Sequence, residues 1–177
     1  MSECTIELPS YPIEDFLAPH NLELADATVI EIFKLVFGYD IAIAESSHPS
    51  LPPSNPDERT AIVGLSGSMR GSCQIRMSTC GAQSIAEAML AGPVTDGDDD
   101  SINDALGELC NMLAGGWKNG AHGLSSECSL SPPTVVSGSD YKVHMSKPSL
   151  KLSRTYRFDV HMLHLTLFRE EGTPLNG

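Results

Sequence analysis

Two side chains in the middle of the chain have types and spacing that suit chemistry: Glu108 and Asn111. They stand three residues apart, so on a helix they are surface neighbours. A carboxylate can hold a cation. An amide beside it both donates and accepts hydrogen bonds, which suits orienting a water molecule. A Glu-x-x-Asn pair on an exposed helix is also what an ordinary solvated face looks like, and spacing alone leaves both readings open.

The segment that must position them is residues 101–118. At ~100° per residue, Ile102, Leu106, Leu109, Leu113 and Trp117 fall in one arc, which must face a core. Ser101, Asp104, Glu108, Asn111, Gly115 and Lys118 fall in the opposite arc, which faces water or a partner. Gly107 and Ala114 lie beside this stripe. A glycine inside a helix costs ~1 kcal/mol relative to alanine, so Gly107, Gly115 and Gly116 need a reason. Close approach of a partner to the stripe is one; tight packing of the helix on its own chain is the other.

Other candidate chemistry is weaker. Setting Asp96, Asp98 and Asp100 as positions 1, 3 and 5 of a calcium loop puts Ser101 where Gly is needed and Gly107 where Glu is needed. These acids are better read as helix-start residues favoured by the macrodipole, with Ser101 and Asp104 resembling a capping box. His161 and His164 stand three apart on a strand and point to opposite faces, so they do not share a metal. Five scattered cysteines form neither a disulfide framework nor a zinc spacing and read as reduced thiols packed as small hydrophobes. There is no phosphate loop, and Gly64-Leu-Ser-Gly-Ser lacks the last glycine of a nucleophile elbow.

Composition narrows the function classes. The 177 residues carry 11 basic and 23 acidic side chains, a net charge of −12. That balance argues against nucleic acid and against an anionic membrane surface, both of which need clustered Lys and Arg. No stretch reaches the roughly 20 apolar residues of a membrane span, and the start lacks the layout of a signal peptide. A cytoplasmic protein with a single buried core is expected.

Along the chain, residues 1–20 are broken by Pro9, Pro12 and Pro19 and are expected to form a loosely held extension. Residues 22–37 read as a helix with Leu22, Ala25, Val29, Ile32, Phe33 and Val36 inward, Asn21 as cap and Gly38 as stop. Residues 41–44 read as a strand, and 46–57 as a proline-rich loop. Residues 59–65 and 72–77 read as a hairpin, 82–90 as a helix, and 128–130, 134–136, 142–145 and 156–168 as strands. The last alternates, with Val160, Met162, His164 and Thr166 opposite His161, Leu163, Leu165 and Leu167. The expected class is α+β: a largely antiparallel (mixed) sheet packed by two long helices and a shorter one, over residues 21–170, with a tail at 171–177.

Glu108-Leu-Cys-Asn111, preceded by Asp104 and followed by Gly115, resembles the signature of the CheC/CheX/FliY family of chemotaxis phosphatases. Ser-Pro-Pro-Thr-Val-Val-Ser-Gly at 131–138 looks like a segment of its CheX-like members, as does Ile-Val-Gly-Leu-Ser-Gly at 62–67 with Gly71 opening the next strand. The resemblance implies removal of the phosphoryl group from the aspartyl phosphate of a CheY-type response regulator. It implies that Glu108 pairs with a regulator Lys, that Asn111 orients the attacking water, and that Asp104, Gly107, Gly115 and Lys118 flank the contact. It further implies a homodimer, no cofactor of the protein's own, and Mg²⁺ in the partner regulator. On the first helix Glu31-Ile-Phe-Lys34 has Lys where the motif needs Asn, which predicts one active site per subunit. Two function classes follow: a phosphatase, or a non-catalytic module that binds a receiver domain or another signalling partner. The amide at 111 favours the enzyme, since docking alone has no evident use for it.

Overall fold

The computed structural model describes residues 11–44, 58–95, 97–122, 124, 127–138, 141, 143 and 149–170. The strands are β1 (Ile41–Ile43), β2 (Glu58–Gly67), β3 (Gly71–Ser78), β4 (Cys128–Leu130), β5 (Thr134–Gly138), β6 (Ser149–Phe158) and β7 (His161–Glu170). They form one antiparallel sheet in the order β1-β6-β7-β3-β2-β4, and β5 joins the same side of β2 as β4. The helices are α1 (Ile13–Leu17), α2 (Pro19–Ile32) with a π-helical turn at Phe33–Phe37, α3 (Thr79–Leu90) and α4 (Asp99–Gly120). The fold is the α+β arrangement read from the pattern, with the short α1 added.

Alternation decides which face of the sheet the helices cover. Ala61, Val63 and Leu65 on β2, Cys73, Ile75 and Met77 on β3, and Leu163, Leu165 and Leu167 on β7 are all buried in one row after another. Against them α4 lays Ile102, Leu106, Leu109, Leu113 and Trp117, the arc expected from its periodicity. Cys110 sits between helix and sheet, its thiol 3.6 Å from the carbonyl oxygens of both Ala61 and Cys73. Hydrogen bonding with Cys110, then burial, pushes the Cys73 thiol well above its ordinary value. Cys73, Cys80, Cys110 and Cys128 are all free thiols, and only Cys80 is exposed.

Helix α2 is held from both sides. Its Asp26 carboxylate accepts from the Tyr156 hydroxyl at 2.8 Å and from Arg154 Nε at 3.3 Å, which ties it to β6. Burial, followed by the adjacent Asp26, raises the Tyr156 phenol, so it remains a donor. On the other side, a Cβ placed on Gly116 would stand 2.6 Å from Thr28 Cγ2, so α2 and α4 meet at a distance only glycine permits.

Several boundaries differ from the sequence expectation. Helix α2 starts at Pro19, with Ala18 as N-cap, because proline is tolerated in the first turn where its missing N–H is not needed. Asn21 is therefore no cap; it is buried inside the helix and donates to the Tyr11 hydroxyl at 2.9 Å. Within residues 11–20, expected as a loose extension, Tyr11 and Phe16 are buried in the core. The π turn shifts the inward position from Val36, which is 44% exposed, to Phe37, which is 8% exposed. Gly38 ends the helix at φ 69°, as expected.

The stretch 156–168 is not one strand. It turns back at 159–160, with Asp159 at φ 47°, and the long strand is a hairpin of β6 and β7. Asp tolerates the left-handed region through local hydrogen bonding, so no glycine marks the turn. Val160 sits at the tip, 80% exposed. Of the strand expected at 142–145, all but Val143 lies outside the described residues, and Val143 is exposed without strand structure.

Phe16 meets Trp117 edge to face, with ring centroids 6.2 Å apart. Phe16→Ala is expected to lower stability by about 3–5 kcal/mol, the usual loss for a buried aromatic. Chemical denaturation measures this, and an unchanged midpoint would show that α1 is not part of the folded unit.

Burial, then the charge of neighbouring Arg76, lowers the His164 pKa from 6.5 to about 4. Between those values the unfolded chain binds the proton that the folded chain refuses. Stability present above pH 6.5 is therefore lost as pH falls through 4. His164→Gln should show a shallower loss over that window in denaturation curves, and equal slopes in both proteins would remove His164 from the account.

Candidate functional site

The site is built on the first half of α4. Asp98 is the N-cap, its Oδ1 accepting from the Ser101 backbone N–H at 3.1 Å. Hydrogen bonding from the Ser101 side chain and then its backbone lowers the Asp98 carboxyl. The capping box expected from Ser101 and Asp104 is thus replaced by a cap three residues before Ser101, which leaves Asp104 exposed on the outer face. Acidic Asp99 and Asp100 in the first turn complement the macrodipole.

Arg59 fixes where this helix sits. It opens the inward row of β2 that continues as Ala61, Val63 and Leu65, and it is 4% exposed. A guanidinium there needs acceptors. It donates to the Asp99 carboxylate and to Asn103 Oδ1, the latter at 2.6 Å. The start of α4 is thereby pinned to β2. Farther along, Lys118 donates to the carbonyl oxygen of Cys128 at 3.0 Å, which ties the end of the helix to β4.

The edge beyond β2 shapes the rest. β4 pairs with the end of β2 and β5 with its start, so the two lie end to end along one edge. Between them Pro132 and Pro133 have no N–H for the ladder. Ser131 bridges the gap: its N–H donates to the Gly64 carbonyl at 2.9 Å, and its Oγ accepts from the Gly64 N–H at 2.8 Å. Pro133 then leans on α4. A Cβ on Gly107 would lie 3.2 Å from Pro133 Cγ, so glycine here lets the proline segment lie close against the helix.

The result is a groove of about 510 Å³ between α4 and the proline segment, lined by Asn103, Asp104, Gly107, Glu108, Pro133 and Val135. Asp104 and Glu108 are exposed and Asn111 is half-buried, all on the outward arc. Among the described residues none of the three makes a hydrogen bond or ion pair. Gly115 continues the stripe, with Leu130 3.9 Å from where its Cβ would be. Of the candidates read from the sequence, Asp104, Gly107 and Glu108 meet in the groove. Gly115 and Lys118 lie farther along the helix against β4, and the Lys118 ammonium is used internally.

Asn103 is the residue that the pattern did not offer. It sits on the shoulder between the buried and exposed arcs, where hydropathy carries no signal. The available signal was Arg59, a cation in an otherwise apolar inward row, which requires a polar group on whatever packs over it. His161 and His164 point to opposite faces as expected, toward Ser84 and Thr155 respectively. Among the described residues no group of three or more His, Cys, Asp or Glu could hold a metal ion. Among them too, no helix is long and apolar enough to cross a membrane.

Helices packed on one face of an antiparallel sheet in this order form the fold of the CheX- and CheC-type chemotaxis proteins. The CheX of Desulfovibrio desulfuricans superposes with a TM-score of 0.72 at 16% identity, covering 85% of this chain and 99% of that one. The CheX chain of a CheX–CheY–BeF3–Mg²⁺ complex from Borrelia burgdorferi gives 0.64 at 23% identity, covering 86% and 97%. In sequence, residues 59–153 match the family described as chemotaxis phosphatase CheX. The CheY-P phosphatase CheX of Thermotoga maritima is 32% identical over 111 residues, 60% of this chain and 72% of that protein. The chain belongs to the CheX family.

Gly107→Val should test the close approach. The added methyl groups collide with Pro133, and the expected loss is about 1–3 kcal/mol. Denaturation would read it, and a variant as stable as the parent would mean that the proline segment yields freely.

Proposed function

We propose that this protein accelerates hydrolysis of the aspartyl phosphate on a CheY-type response regulator. The observation that carries the reading is the pair Glu108 and Asn111. They stand about one turn apart on a helix fixed to the sheet, and neither is engaged by another described residue. Membership of a family whose Thermotoga relative is named a CheY-P phosphatase supports it.

The chemistry asks little of this chain. In phosphoryl transfer there is little covalent work for a catalyst beyond positioning and charge stabilisation. Mg²⁺ and a Lys are expected in the regulator and neutralise phosphoryl charge there. Glu108 pairs with that Lys and sets the helix against the regulator. Asn111 reaches toward the phosphorus, accepts a hydrogen bond from the attacking water with its carbonyl oxygen, and holds it in line. No nucleophile of this chain takes part. The α2 counterpart, Glu31 with Lys34, is also exposed, but an ammonium only donates and cannot accept from the water.

Asn111→Ala is expected to reduce the acceleration on the order of 10²-fold while binding to the regulator stays intact. Glu108→Ala should weaken binding roughly tenfold, the effect of losing one charge pair at a contact. A receiver domain charged with a small phosphodonor, with phosphate loss followed with and without each protein, checks both. Wild-type rates from Asn111→Ala would remove the water-orienting role.

A further inference from the structure

Asn103 stands one turn before Gly107 on the wall of the groove. Its Oδ1 is committed to Arg59 at 2.6 Å. A guanidinium only donates, so this contact dictates which way the amide faces: oxygen toward Arg59, Nδ2 away from it. Among the described residues Nδ2 has no acceptor. The other lining side chains are the acceptors Asp104 and Glu108 and the apolar Pro133 and Val135. Among the described residues Asn103 is therefore the one side-chain N–H donor lining the groove, and a buried cation pre-orients it.

We propose that Asn103 is a specificity-determining contact. Its Nδ2 donates to a backbone carbonyl oxygen of a regulator segment that lies in the groove against Pro133 and Val135. This rests on the reading that the Glu108 face docks a receiver domain. A neutral carbonyl is the acceptor that fits. Two carboxylates line the same groove and repel an anionic group, and a cationic group has nothing to accept with. The proline and valine wall suits an apolar side chain of the same segment. Glu108 and Asn111 then act at the phosphorylation site, and Asn103 reads the surface beside it.

Asn103→Asp separates this role from a structural one. The carboxylate still accepts from Arg59, so the helix anchor is kept, while the groove loses its donor and gains an acceptor facing the carbonyl. Binding of a BeF3⁻-loaded receiver is followed by calorimetry, and turnover by phosphate release. The expected result is Kd and KM raised about tenfold, the effect of leaving one buried acceptor unsatisfied, with kcat within about twofold and an unchanged denaturation midpoint. Asn119→Asp makes the same charge change at an exposed position at the far end of α4 and should leave Kd unchanged. Wild-type Kd in Asn103→Asp, or an equal loss in Asn119→Asp, overturns the proposal. A wild-type protein that binds the receiver without speeding phosphate loss sinks the phosphatase reading alone, and the Kd comparison still decides Asn103. A wild-type protein that binds no receiver overturns both.

Discussion

Arg59 is a charge placed where the sheet requires an apolar side chain, and the placement of α4 follows from how that charge is satisfied. Its row on β2 faces the helices, so the guanidinium is almost wholly removed from water. An unpaired cation there would be strongly unfavourable. The first two turns of α4 supply its acceptors, Asp99 and Asn103, which fixes the helix along its own axis as well as against the sheet. Close apolar packing also holds the helix in place, and these polar contacts add a fixed point at its start. With the start pinned to β2 and the end tied by Lys118 to β4, Glu108 and Asn111 sit at defined positions between two anchors.

A second constraint acts on the sheet edge. The interruption of the ladder at Pro132 and Pro133 costs backbone hydrogen bonds that Ser131 partly restores through both its N–H and its hydroxyl. What the interruption gives in return is the approach of Pro133 to Gly107, which closes one side of the groove. The two local irregularities, glycine inside a helix and paired prolines inside an edge, answer each other in space. Each is unfavourable by itself, and together they shape the surface that carries Asp104 and Glu108.

The α4 stripe was readable in the sequence because 3.6-residue periodicity over five apolar positions admits one inward face, and all five residues are buried. The β2–β3 hairpin and the Gly38 stop were readable for similar reasons: alternation with a glycine turn, and a glycine just past the last apolar residue. What stayed hidden depended on contacts distant in sequence or on turns without the usual residues. The β6–β7 turn uses Asp159 in place of glycine, so the alternation runs through it unbroken. Helix α1 and the buried Tyr11 belong to a proline-broken stretch whose order comes from Phe16 meeting Trp117. Asn103 became visible only once Arg59 was placed opposite it. For Gly107 and Gly116 the close approach is made by the chain itself, to Pro133 and Thr28.

The division between fixed backbone and free side chains suits catalysis by positioning. The backbone of α4 is held by Arg59, by the Cys110 thiol between Ala61 and Cys73, by Trp117 and by Lys118. Glu108 and Asn111, in contrast, make no side-chain hydrogen bond or ion pair among the described residues that docking would have to break. The cost of ordering them is then limited to their own rotamer freedom, roughly 1–2 kcal/mol each at most. Had the pair been placed on a loop, fixing each backbone residue would have cost about as much again, and an orienting group loses its effect when it wanders by about an ångström. The chain carries a net charge of −12, which favours no acidic partner. Affinity for one must therefore come from short-range, well-placed contacts on this rigid face, and a helix anchored at both ends is what keeps such contacts in register.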